Sequence, residues 1–158
     1  MIHTEDSIWI AAPPDRVFGL AADIAQWPKL LPHYRWVRIL DDNRNQRLAE
    51  MSACRSHISV RWTSVQRLAP EQGRVLYTHV GGITRGMEVE WRLATEDGGT
   101  RVVISHWLKP RRWFLRNPLA AWIVGQFFVK SIAGRTLHYI KRHAEGNPIN
   151  RDQEPLVG

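Results

Sequence analysis

The chain has 158 residues, of which 44% are apolar and 23% charged, with eight Trp and a net charge of +7. That is one domain's length with enough apolar surface to bury a core, which excludes disorder as the global state. A single cysteine, Cys54, excludes a disulfide framework and a Cys-based zinc site, and fits a reducing, cytoplasmic setting. Residues 1–100 carry twelve basic and twelve acidic side chains, whereas residues 101–158 carry ten basic and three acidic, so the whole excess belongs to the last third.

The first residues, MIHTEDSIWI, carry acids where a secretory leader has a basic flank, and no apolar run reaches the roughly 18 residues of a spanning helix. Residues 3–10 read as a strand stopped by Pro13-Pro14. The prolines open a helix with Asp15 at its positive end and Val17, Phe18 and Ala21 on its apolar stripe. Ile24, Trp27 and Leu31 continue a second short helix around Pro28. Strands are expected over Tyr34–Leu40, Arg47–Cys54, Ile58–Leu68 and Arg74–Val80, with turn signals between them. Met87, Val89, Trp91 and Leu93 alternate with Glu88, Glu90 and Arg92, the cleanest period of two in the chain. Glu96-Asp97-Gly98-Gly99 reads as a hairpin turn, and Thr100–Leu108 as the last strand.

The period then changes. From about Phe114 to about Glu145 no alternation remains, and Val129, Ala133, Leu137, Ile140 and Ala144 mark one face of a long helix ended by Gly146-Asn147-Pro148. The expected organisation is a single ligand-binding domain over residues 1–146, with 147–158 as a flexible tail. One long helix against a curved antiparallel sheet of about seven strands is an α+β layout. Curvature leaves a hollow between helix and sheet, and a hollow lined by aromatics is a ligand pocket by default.

At this point the sequence resembles a known superfamily. Ser7-Ile8-Trp9-Ile10-Ala11-Ala12-Pro13, Val17-Phe18 and Asp23-Ile24-Ala25-Gln26-Trp27-Pro28 are similar to the opening of the helix-grip (START-like, Bet v 1-like) proteins. Leu31-Pro32-His33-Tyr34 followed by Val37-Arg38-Ile39-Leu40 narrows the resemblance to the polyketide cyclase/dehydrase and coenzyme-Q-binding branch, and Gly98–Val102 and Phe127–Glu145 fit the same pattern. The resemblance implies a deep apolar cavity with no metal and no cofactor. It also implies a Tyr shortly after the Trp-Pro motif and an Arg in the third or fourth strand as the residues of ring closure; the matching positions are Tyr34 and Arg67.

Closing a ring on a poly-β-keto chain is an aldol step followed by loss of water. A cavity holds the reacting carbons together. A cation such as Arg67 steadies the developing enolate oxygen, and Tyr34 exchanges a proton at a reach of about 3 Å. The competing readings are a surface or salt-bridged arginine and a core or rim tyrosine. Trp27, Trp62, Met87, Trp91, Trp122 and Phe127 are the candidate ligand contacts, against the plainer reading of core packing. Which face Arg61 and Trp62 take is open, since a bulge would exchange them. His57, His79 and His106 each fall in an expected strand without metal-ligand spacing; His106 is a candidate pocket group or an ordinary hydrogen-bonded histidine. Gly81–Gly86 lies between strands with no helix following, so it reads as a hairpin or pocket lid rather than a phosphate cradle.

From Lys109 to Arg142 there are eight basic residues and no acidic ones, interleaved with Trp113, Phe114 and Trp122. The excess is either a solvated rim or a docking surface. As a surface it suits an acidic acyl carrier protein or an anionic membrane. Nucleic acid ranks third, because no recognition-helix motif accompanies the charge. Two functions follow. One is a polyketide cyclase/aromatase acting on a hydrophobic small molecule. The other is a non-enzymatic lipid or quinone carrier that docks peripherally on membranes.

Overall fold

The computed structural model describes residues 1–109, 116–122 and 130–146. Seven strands form one antiparallel sheet: β1 (Ile2–Ile10), β2 (Tyr34–Asn43), β3 (Gln46–Arg55), β4 (Ile58–Ala69), β5 (Arg74–Gly82), β6 (Met87–Glu96) and β7 (Gly99–Leu108). Their order is β1-β7-β6-β5-β4-β3-β2, so the chain meanders from β2 to β7 and β1 closes the free edge of β7. Between β1 and β2 lie α1 (Pro14–Ala22), a single 3₁₀ turn and α2 (Trp27–Leu30). After β7 come α3 (Pro118–Trp122) and α4 (Lys130–Ala144).

The local chemistry explains these boundaries. Pro14 sits in the first turn of α1, where its missing N–H costs nothing, and Asp15 follows it. Asp97 and Gly98 take φ of 48° and 74°, the left-handed pair that a two-residue hairpin between twisted strands requires. Each strand runs a residue or more beyond its sequence-based limits, because pairing with a neighbour carries polar residues such as Asp41 and Asp42 into β2. His57, expected in a strand, instead occupies the β3–β4 turn with Ser56. The long helix expected from Phe114 is interrupted: Asn117 lies outside any helix, as a residue preceding proline is pushed away from helical backbone.

Register shifts mark where the sheet bends. β2 slips against β3 between Tyr34 and Trp36 and again between Ile39 and Asp41, and β4 slips against β5 between Thr63 and Ser64. Such irregularities bend and twist a strand, which helps the sheet curl around its contents.

α4 fills the concave side. Ala133, Thr136, Leu137, Ile140 and Ala144 are buried along one stripe, and the helix packs across β1, α1 and β3. Its end is also pinned by polar bonds. Lys141 Nζ donates to the Trp9 carbonyl at 2.7 Å, and the Glu145 carboxylate accepts from the Ala11 N–H at 2.9 Å and pairs with Lys141 at 2.8 Å. His143 Nε2 donates to the Leu30 carbonyl at 2.8 Å. One member of the basic third, Lys141, is therefore part of the scaffold.

Gly99 opens β7 where β1 passes closest. A Cβ there would press into the Ile10 carbonyl and lie 2.7 Å from the Trp9 ring, which is itself held by an indole bond to the Glu96 carbonyl at 2.8 Å. Gly99→Ala is expected to lower unfolding free energy by about 1–3 kcal/mol in urea denaturation, the usual cost of overpacking.

Candidate functional site

Strand alternation decides what faces α4. In β4 the buried residues are Val60, Trp62, Ser64 and Gln66, while Arg61 and Arg67 are exposed. In β6 they are Met87, Val89, Trp91 and Leu93, with Glu88 and Glu90 outside; Glu90 pairs with Arg74 at 3.4 Å and Glu88 accepts from Thr78 at 2.8 Å. Val75, Tyr77 and His79 face inward from β5, and Ile104 and His106 from β7.

All of these inward-facing side chains except Ser64, Gln66, Val75 and Leu93 line a cavity of about 70 Å³ between sheet and α4. One end is aromatic. Trp27, fixed by its indole donating to the Leu20 carbonyl at 3.0 Å, meets Trp91 at 5.8 Å and Tyr34 edge-on at 4.9 Å between centroids. Tyr34 in turn meets Trp62 edge-on at 6.0 Å. The other end is polar. His79 stacks on Trp62 at 5.7 Å, and its Nδ1 lies 2.6 Å from the hydroxyl of Thr84, which is buried in the β5–β6 turn. That turn thus folds inward to complete the wall. Ile132, Ala133 and Thr136 close the cavity from α4.

Among the described residues the lining contains no Asp, Glu, Lys or Arg. Its titratable groups are neutral at pH 7 for one dominant reason, desolvation. Burial brings His79 down to about 3, with the neighbouring His106 adding to the effect. It brings His106 down to about 4, with His3 adding to the effect. Burial pushes the phenols of Tyr34 and Tyr77 up; the Thr136 hydroxyl opposes this at Tyr34, and Gln66 opposes it at Tyr77. Behind the wall, His33 is brought down to about 3 by burial and by Arg135; its Nε2 lies 2.8 Å from the Thr136 oxygen. Thr136 spends its own proton on the Ile132 carbonyl at 2.8 Å, so His33 is the donor in that pair. The cavity therefore offers phenols that donate and imidazoles that accept, without net charge. Among the described residues no cluster of three or more His, Cys, Asp or Glu could hold a metal ion.

Of the residues expected to form the site, Tyr34, Trp27, Trp62, Met87, Trp91 and His106 all line this cavity. Arg67 does not. It lies on the convex face, 3.5 Å from the Thr78 hydroxyl, and the inward place beside it belongs to Gln66. The register explains this: Trp62 faces inward, and every second residue after it shares that face. Trp122 is also misplaced by the sequence reading. It is 59% exposed on α3 and is not among the described residues that line the cavity. Phe127 lies outside the described residues.

Tyr77, Thr84, Thr136 and Gln66 were not picked out by sequence. Gln66 was recoverable from its shared parity with Val60 and Trp62. Its amide donates to the Ala22 carbonyl at 3.0 Å and to the Tyr77 oxygen at 3.1 Å, which leaves the Tyr77 proton free. Thr136 was recoverable from its place on the buried stripe of α4.

The sequence matches the model of the family described as polyketide cyclase / dehydrase and lipid transport over residues 1–145. A Streptomyces cyaneus protein named as a polyketide cyclase is 30% identical over 112 residues, covering 66% of this chain and 69% of its own. Among solved structures, the Zhui aromatase/cyclase from Streptomyces sp. R1128 superposes with a TM-score of 0.75 at 23% identity, covering 90% of this chain and 93% of its own. A Thermus thermophilus protein superposes with a TM-score of 0.76 at 21% identity, covering 90% and 96%. The seven-stranded sheet gripping a C-terminal helix is thus the helix-grip fold.

The buried imidazoles link stability to pH. When unfolded they charge near 6.5; when folded, His33 and His79 resist protonation down to about 3 and His106 to about 4. Below pH 6.5 the unfolded chain therefore binds more protons, and stability falls with acidification until the folded-state values are reached. Urea unfolding between pH 7 and 4.5 is expected to show a loss approaching about 1.4 kcal/mol per pH unit for each imidazole. His79→Gln should remove one such share from the slope.

Proposed function

Because the chain belongs to the polyketide cyclase/dehydrase and lipid transport family, we propose that it binds a neutral polyketide-like molecule between sheet and helix and promotes aldol closure and dehydration of a ring. The observation that carries this reading is the cavity itself: aromatic walls with neutral donors and acceptors and no charged side chain among the described lining residues. Such a lining suits a ligand of carbonyls and aromatic carbon. It would penalise a carboxylate or ammonium, which has no partner there.

The chemistry follows from the groups present. The Tyr34 phenol, protonated at neutral pH, donates to the carbonyl oxygen under attack. The neutral His106 imidazole accepts the proton leaving the carbon between two carbonyls. A carbon–carbon bond forms and the former carbonyl oxygen becomes a hydroxyl by taking the Tyr34 proton. The hydroxyl then departs as water with the proton held by His106, while the neighbouring C–H gives its proton back to the Tyr34 oxygen and a carbon–carbon double bond forms. A base with so low an affinity for protons gives limited driving force, so the larger contribution is confinement of the chain in a reactive fold. A chain larger than a single ring needs side chains or α4 to move outward, since 70 Å³ is well below the roughly 300 Å³ of drug-sized sites.

The test is product formation from a poly-β-ketone carried on an acyl carrier protein. Tyr34→Phe is expected to lower the yield of cyclised aromatic product by about a hundredfold. Arg67→Ala should leave it unchanged, since that side chain is outside the cavity. Wild-type yield from Tyr34→Phe, or no dependence of product on the protein, would overturn the reading.

A second reading, a lipid or quinone carrier, is favoured by one observation. Leu119 and Trp122 are 65% and 59% exposed on α3, between the exposed cations Arg116 and Lys130. Cations beside exposed apolar side chains suit a peripheral contact with anionic lipid; the same cations suit an acidic acyl carrier protein. No helix among the described residues is long and apolar enough to cross a membrane. Flotation with vesicles of phosphatidylcholine and phosphatidylserine decides between them. The carrier reading expects binding that weakens several-fold in Trp122→Ala; the enzyme reading expects none.

A further inference from the structure

Behind His106, the inner face of the sheet holds two polar side chains, Thr4 and Asp6, that the cyclisation chemistry does not use. Thr4 and Asp6 are the alternate, inward-facing residues of β1. Thr4 stands directly opposite His106 on β7, and Asp6 stands opposite Ile104, two residues away. Directly opposed side chains start about 5 Å apart and diagonal ones about 7–8 Å. Thr4 Oγ1, Asp6 Oδ2 and His106 Nδ1 are all sealed from solvent, and none has a hydrogen-bond partner. Leaving a buried donor or acceptor unmet costs free energy at each site. Three such atoms on adjoining positions, separated by more than direct bonding distance, are the setting for one bridging water, which needs two to four polar partners.

We propose that Thr4, Asp6 and His106 form a buried polar site whose bridging water accepts the Nδ1–H of His106 and donates to Asp6 Oδ2 and Thr4 Oγ1, fixing His106 as the tautomer whose Nε2 is a bare acceptor on the cavity side. Thr4 and Asp6 are then positioning residues: they touch no ligand and act through the ring that does. Asp6 keeps an acceptor role whatever its surroundings. Burial pushes its carboxyl up, the Lys130 ammonium opposes that shift, and a carboxyl oxygen accepts in either protonation state. The site gives the cavity a direction. A ligand carrying an enol or phenol O–H can donate to Nε2, whereas its methyl ether cannot. The inference deepens the ligand-binding reading by naming the class of group met at that end, but the arrangement is internal to the protein and is measurable without any ligand.

The experiment is long-range ¹H–¹⁵N correlation of the histidine rings in the full chain at pH 7, where His106 is neutral. The expected result is a protonated Nδ1 and an unprotonated Nε2 at His106 in the wild-type protein. Thr4→Val combined with Asp6→Ala should move His106 toward the Nε2–H form, and Thr4→Ser alone should retain the wild-type pattern. A wild-type His106 with its proton on Nε2 would overturn the proposal, as would a pattern unmoved by the double substitution. The wild-type spectrum decides the matter even if the double variant fails to fold. A proton on Nε2 would remove His106 as the base but not the Tyr34 donor or the confinement of the ligand, which product formation tests separately.

Discussion

A strand can offer only every second side chain to one face, and in this protein nearly everything about the site follows from that constraint. Seven paired strands with a common concave face collect Trp62, Tyr77, His79, Met87, Trp91 and His106 around one volume. The intervening Arg61, Arg67, Arg74, Glu88 and Glu90 are displayed on the other face. The charge-neutral first hundred residues are thus neutral in a particular way. Their charges pair on the convex surface, as Arg92 does with Glu5 at 3.2 Å, while the cavity lining holds no charged side chain among the described residues.

An uncharged interior has a chemical consequence. Desolvation holds imidazoles deprotonated and phenols protonated, so the cavity is a set of fixed hydrogen-bond donors and acceptors rather than a set of ions. The same desolvation makes the fold sensitive to acid. Binding character and acid sensitivity therefore share one cause, the burial of His79 and His106 in the cavity wall. The helix that supplies the fourth wall is held by its packed stripe and by the Lys141–Glu145 clamp on the end of β1.

The helix-grip architecture, the strand sequence and most of the aromatic lining were legible in the chain. The alternation of Met87, Val89, Trp91 and Leu93 and the stripe Ala133, Leu137, Ile140 and Ala144 are local patterns, and local geometry converts them directly into buried faces. Tyr34 was legible because it stands just beyond the Trp-Pro motif. Arg67 has the chemical type for the site but the wrong parity for it: Gln66, not Arg67, shares the face of Trp62.

By itself the sequence determined that a curved antiparallel sheet would grip a C-terminal helix around an aromatic hollow, since hydrophobic period and turn residues are properties of neighbours along the chain. Only the tertiary structure decided the polar chemistry of that hollow. His33 finds Thr136 across 103 residues, Thr4 faces His106 across the β1–β7 pairing, and Thr84 turns in to meet His79. Such meetings depend on strand register and helix docking. The proton affinities depend in turn on how far the assembled walls exclude water, which no stretch of sequence carries alone.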